Sequence, residues 1–248
     1  MFPKKPAWMV YAALLLFIST PTLSETRAIK TSSSEDVAMA FYKTTGEKPS
    51  FDKWIKGTAP YNLTPMARRE EIYAQEYERL SKRWIGTKGD NEYLVIKAWV
   101  SAHTYEQPSA TDPSETTPFI GIKFSAGDVD YFPYEFLGEN FALVPQDMTA
   151  RLTAPLPREQ FNFLNQEIGP QGARLMMLIE LKPVRADTNE TYKIDKQEFW
   201  ALLTDVAALS IWSKSGTLLW EYSAPWYTTA IQSDLQNLYQ EPQTPEIP

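Results

Sequence analysis

Apolar residues fall along the chain in three textures. Residues 7–18 (AWMVYAALLLFI) are an unbroken apolar run behind Lys4 and Lys5. Residues 35–86 carry apolar positions three and four apart, the period of helices with one buried face. From 91 to 223 the spacing shortens to two, the period of strands.

In the helical part, Ser32 and Ser33 are candidate N-caps for a helix through Val37, Ala38, Ala40, Phe41 and Tyr42, with Gly46 as its stop. Residues 49–56 allow one short helical turn. Thr64-Pro65 reads as a cap followed by a first-turn proline. It opens a helix to Trp84 whose stripe is Met66, Tyr73, Tyr77, Leu80 and Trp84.

In the strand part, Leu94, Ile96, Ala98, Val100 and Ala102 make one face of a strand over 93–103. Tyr93, Val95, Lys97, Trp99, Ser101 and His103 make the other. Residues 105–117 read as a long polar loop, and 118–124 return as the hairpin partner. Further strands are expected at 141–144, 173–184, 199–212 and 218–222, the last two joined by a turn at Lys214-Ser215-Gly216. A helix is expected over 157–168, with Phe161, Leu164 and Ile168 on one side.

This pattern predicts an α+β fold: N-terminal helices packed on a mainly antiparallel sheet of about five or six strands. A single sheet, a sandwich and a partly open barrel all satisfy it. The organisation expected is a leader at 1–24, a loose segment at 25–34 and one domain at 35–223. Within that domain 35–86 is helical and 91–223 is mainly strands. A polar, proline-bearing tail follows at 224–248.

Composition narrows the function. The 248 residues are 43% hydrophobic and 13% aromatic, enough for a substantial core. Cysteine is absent, which excludes disulfides, thiolate metal sites and a cysteine nucleophile. His103 is the one histidine, so a multi-histidine metal site cannot form within one chain. The apolar run near the N-terminus is shorter than the ~20 residues of a spanning helix. With Lys4, Lys5, Pro21 and small residues at Thr22 and Ser24, it matches a secretory leader cleaved after Ser24. A cysteine-free exported chain points to a bacterial periplasmic or secreted protein, with no membrane span after cleavage. The net charge of −7 becomes −9 without the leader, unsuited to nucleic acid or to anionic lipid surfaces.

Candidate chemistry is sparse. Ser50 and Lys53, with Lys214-Ser215-Gly216, imitate the S-x-x-K and K-T-G elements of serine acyl-enzymes, without the element expected between them. A serine hydrolase would have to use His103, and no G-x-S-x-G elbow exists. Asp128 and Asp130 could act as paired carboxylates on a glycosidic bond or as calcium ligands, or simply form an Asp-rich turn. Asp205 lies inside an apolar run, where it is either buried and functional or carried outward by a bulge. Phosphate loops are absent, so no nucleotide cofactor is expected, and no catalytic, cofactor or metal residue is assigned. The aromatic residues Trp99, Tyr131, Phe132, Tyr134, Phe136, Trp220, Tyr222, Trp226 and Tyr227 either fill the core or form a contact surface. The segment 130–136 (DYFPYEF) raises that question most sharply. The expected role is a non-catalytic interaction module of the cell envelope, binding a protein or a polymer. The alternative is a carboxylate-dependent hydrolase acting on envelope glycans.

Overall fold

The structure, a computed structural model, describes residues 31–87, 93–109, 114–169, 171–194 and 196–227. The expected leader, most of the loose segment and most of the tail lie outside the described residues. The fold combines helices with a mostly antiparallel, strongly curled sheet that forms a half-barrel. No helix among the described residues is long and apolar enough to cross a membrane.

Helix α1 spans Ser34–Thr45, one residue earlier than the expected boundary. Ser33 is the cap of the two candidates. Its hydroxyl accepts the Asp36 N–H while the Asp36 carboxylate accepts the Ser33 N–H at 2.8 Å, a reciprocal capping box. Ser32 is not loose. Its N–H donates to the Val95 carbonyl and its Oγ accepts the Val95 N–H, both at 2.9 Å. Val37, Ala38, Met39, Ala40 and Phe41 are all buried. Successive helix positions turn by about 100°, so five in a row cover the whole circumference, as in a helix surrounded by protein.

Helices α2 (Phe51–Gly57) and α3 (Ala59–Leu63) precede a 3-10 turn at Met66–Arg68 and helix α4 (Arg69–Gly86). The expected start at Thr64-Pro65 is therefore displaced. The Thr64 hydroxyl bonds back to the Pro60 carbonyl and closes α3 instead of capping the next helix. Of the expected stripe only Leu80 is fully buried, and Met66 is 85% exposed. Tyr73 stacks on Tyr77, and Tyr77 meets the edge of Phe51 in α2. Arg79 pairs with Glu35, and Arg83 with Asp36, tying α4 to the first turn of α1.

Among the described residues nine strands form the sheet, more than expected. They are β1 (Leu94–Pro108), β2 (Thr116–Phe124), β3 (Phe132–Phe136), β4 (Glu139–Gln146), β5 (Thr153–Pro155), β6 (Ala173–Ala186), β7 (Tyr192–Ile194), β8 (Gln197–Trp212) and β9 (Leu218–Ser223). Helix α5 (Met148–Arg151) leads into β5, and α6 (Arg158–Ile168) follows it. The main path runs β3-β4-β8-β6-β1-β2-β5, with β7 and β9 also paired to β8. Both ends of the expected 105–117 loop are strand, because β1 and β2 stay paired out to Pro108 and Thr116. Glu106 there accepts bonds from Thr116 and from Arg158 of α6, which lets polar residues hold the hairpin end.

Strand β8 is the spine. Its first half pairs with β4 in parallel, and its second half with β9 antiparallel. The register opposite β6 slips at Ala207, between Val206 and Ala208. Before that bulge the even positions Leu202, Thr204 and Val206 are buried; after it the odd positions Leu209 and Ile211 take over. The Ala207 carbonyl is taken by the Ala224 N–H at 2.8 Å. One further position is fixed by backbone geometry. Gly172 has φ +74°, and a Cβ there would stand 2.5 Å from the Ala102 carbonyl oxygen, so glycine is required at the position just before β6.

Burial pushes the Asp36 carboxyl up, but the Ser33 bonds and the Arg83 guanidinium outweigh it and leave it below its ordinary 3.8. A depressed folded value stabilises above the unfolded one and loses that stabilisation as pH falls through it. Asp36→Ala is expected to cost about 1–2 kcal/mol at neutral pH. In urea titrations the gap between parent and variant should hold down to about pH 4 and close below it.

Candidate functional site

The one deeply buried charge among the described residues is Glu139, the first residue of β4, at 7% exposure. Buried ionised groups concentrate at functional sites, so its partners decide its meaning. Oε1 takes the Lys53 ammonium at 2.6 Å. Oε2 takes the Trp54 indole N–H at 3.1 Å and the Tyr42 hydroxyl at 3.2 Å. Every donor comes from α1 or α2, and the carboxylate has three partners. Burial, then the neighbouring Glu139 charge, pushes the Tyr42 phenol well above its ordinary range, so it stays protonated and donating. Tyr42, Lys53, Trp54 and Glu139 line none of five well-formed clefts among the described residues. The chemistry of this cluster is that of a clasp.

This arrangement answers the Ser50–Lys53 motif. Ser50 caps α2 by accepting the Lys53 backbone N–H at 3.3 Å, and the Lys53 amine is bound to Glu139. Lys214, Ser215 and Gly216 lie in the β8–β9 turn, where Ser215 Oγ bonds Ser213 and Thr217. The two halves of the imitation serve two separate structural tasks.

His103 lies inside β1 and not at a strand end. It stacks on Tyr105 at 5.5 Å, and Tyr105 stacks on Phe119 at 5.7 Å. Its cross-strand partner is Gly121, whose missing Cβ makes room for the imidazole. Asp128 and Asp130 are exposed beside a cleft of about 460 Å³ that also touches Lys123 and Thr149. Among the described residues, no three acidic or histidine side chains gather as a metal-binding group. Asp205 is half-buried two residues before the Ala207 bulge, opposite Lys182 of β6.

The aromatic residues divide between the two sides of the sheet. The 130–136 segment becomes edge strand β3, and Phe132, Tyr134 and Phe136 pack against the main core. Phe136 meets Trp54 edge-on at 4.9 Å, and Tyr131 meets Phe199. Burial raises the Tyr134 phenol. Trp220 is buried, whereas Trp226 is 43% exposed beside Lys182. Tyr227 is buried against the other face of the sheet, where it donates to Glu180 at 2.5 Å and meets Tyr93. The expected tail boundary at 224 thus falls a few residues early.

The feature the sequence pattern missed is a row on the outward face. Trp99 of β1 lies opposite Met176 of β6, Met176 opposite Trp212 of β8, and Trp212 opposite Leu218 of β9. Each has neighbours in its own strand that point into the core: Val100, Leu175, Met177, Ile211 and Leu219. Four large apolar side chains therefore line up across four strands on the side away from the core. Trp99 is 47% and Leu218 38% exposed. Set beside protein-family models, curated proteins and solved structures, the chain finds no match.

Two outcomes follow from the packed groups. Glu139→Ala leaves the Trp54 N–H and Tyr42 hydroxyl without their acceptor and should cost about 2–3 kcal/mol. Glu139→Gln retains an acceptor and should cost less; urea unfolding followed by tryptophan emission ranks the two. A Cβ on Gly121 would stand 2.6 Å from His103 Cε1. Gly121→Ala should therefore cost about 1–3 kcal/mol, and adding His103→Ala should recover part of the loss in a double-mutant cycle.

Proposed function

We propose that this chain is an exported, non-catalytic interaction module of the bacterial cell envelope that docks a protein partner on the outward face of its sheet. The observation that carries this reading is the Trp99–Met176–Trp212–Leu218 row. Large, partly exposed apolar side chains on adjacent strands form the kind of rigid, aromatic-centred patch that anchors protein interfaces. The basic, apolar, small-residue order of the first 24 residues supports export, and the absence of cysteine supports a bacterial envelope.

In this reading the N-terminal helices pack on the sheet's inner side. Ring contacts from Phe41 to Phe141 and from Trp54 to Phe136 support that placement, as do the three bonds to Glu139. The outward face then remains for the partner. The same placement moves the docking surface away from Tyr131–Phe136, which packs mainly against the core.

The test is site-specific photocrosslinking in the native envelope. A benzoylphenylalanine at Leu218 should capture one stoichiometric protein. The same group at Glu70, an exposed position of α4, should not. Replacing Trp212 and Leu218 with serine should reduce recovery at least tenfold while the melting temperature stays near that of the parent. Equal capture from both positions, or none from Leu218, removes this face as the docking surface.

A further inference from the structure

Strand β1 runs beyond the end of β2. The β1–β2 register begins at Val100, so residues 94–99 have β6 on one flank and, among the described residues, no strand on the other. Two isolated contacts close that free flank at its ends. Ser32 bonds both backbone groups of Val95, and the Ser125 N–H bonds the Trp99 carbonyl. Strand geometry has a period of two, so the Lys97 N–H and C=O turn to the same flank, midway between those closures.

A cavity of about 520 Å³ opens at this seam, between β1, the end of β2 and the start of β3. That is within the size range of small-molecule sites. Its walls are apolar, with Trp99, Phe124, Val129 and Phe132 prominent among them. Two lining residues are charged, Lys97 and Arg174, and both are cations in a chain whose net charge is −7. The Arg174 guanidinium sits 5.1 Å from the centre of the Trp99 ring, which fixes one positive charge at the mouth. Asp128 and Asp130 line a neighbouring cleft that shares Phe124 and Val129 with this one, and neither lines this one.

We propose that this seam is a binding site for a free anionic amphiphile, a medium-chain carboxylate whose tail enters the cavity. Its carboxylate meets Lys97 and Arg174, and the backbone N–H of Lys97 offers one further donor. Burying the tail supplies the apolar driving force. The two cations select an acid over the matching alcohol or amine, since an ion left unpaired at the mouth gains nothing from them. The site shares Trp99 with the docking row, but Met176, Trp212 and Leu218 take no part in it, so the variants below leave the rest of that row intact.

Calorimetric titration of the full chain with decanoate, decanol and decyltrimethylammonium tests this. Decanoate should bind one per chain and at least tenfold more tightly than the other two. The double variant Lys97→Gln/Arg174→Gln should weaken decanoate at least tenfold and leave decanol unchanged. Ala126→Trp, on an exposed position of the cavity rim, should abolish binding of all three while the melting temperature is preserved. Equal affinities for acid and alcohol would overturn the charge assignment. Binding untouched by Ala126→Trp would overturn the location. The absence of saturable binding, or binding only to phosphatidylglycerol vesicles, would overturn the ligand class.

Discussion

The placement of one carboxylate constrains this structure more than any other polar group. Glu139 must give up water at the start of β4, and three donors arriving from α1 and α2 compensate that loss. A buried charge with partners is tolerable, and one that loses them is costly. The β3–β4 hairpin can therefore adopt its observed position only with both helices in theirs. The aromatic rings around it share the constraint, since Trp54 also meets Tyr42 and Phe136 edge-on. The Lys53 end of the cluster reaches the surface, at 64% side-chain exposure, so the ammonium stays largely hydrated while its partner does not.

The second organising element is the length of β8. A strand of 16 residues cannot stay flat beside β6 without accumulating twist. The register slip at Ala207 relieves it and exchanges which positions face inward. That exchange puts Ile211 in the core and Trp212 on the outward face. Without the slip, the row from Trp99 to Leu218 would break at its third member. The same slip leaves Ala207 and Ala208 to pack with Ala224 and Tyr227 in a small second cluster. Each sheet face thus has its own apolar content, and residues 224–227 cover part of the outward one.

Local pattern carried much of this architecture. The alternation from Leu94 to Ala102, the Ser33 cap, the apolar side of α6 and the β8–β9 turn all depend on neighbours within a few residues, and all were readable. Strand β3 was hidden because Pro133 interrupts it, and a proline, which cannot donate to the ladder, argues against a strand unless an edge or a bulge excuses it. The polar ends of β1 and β2 were hidden because Glu106, Thr116 and Arg158 meet only after folding. Glu139 is one of 31 acidic residues, and nothing in its immediate sequence distinguishes it. Its burial is a product of three elements meeting. The outward row was unreadable for the same reason: residues 99, 176, 212 and 218 become neighbours through register, and register across a long strand is a tertiary property.

The spine position of β8 also sets an order of events. Strands β4, β6, β7 and β9 all use β8 as a partner, and of these only β9 follows it in the chain. The early helices, the β1–β2 hairpin and the β3–β4 hairpin have local partners, but the second flank of β4 waits more than fifty residues for β8. Closure of the sheet is therefore a late, non-local step. Until it occurs, the edges of β4 and β6 stay open to other chains. A chain built this way cannot close its sheet until β8 has been made.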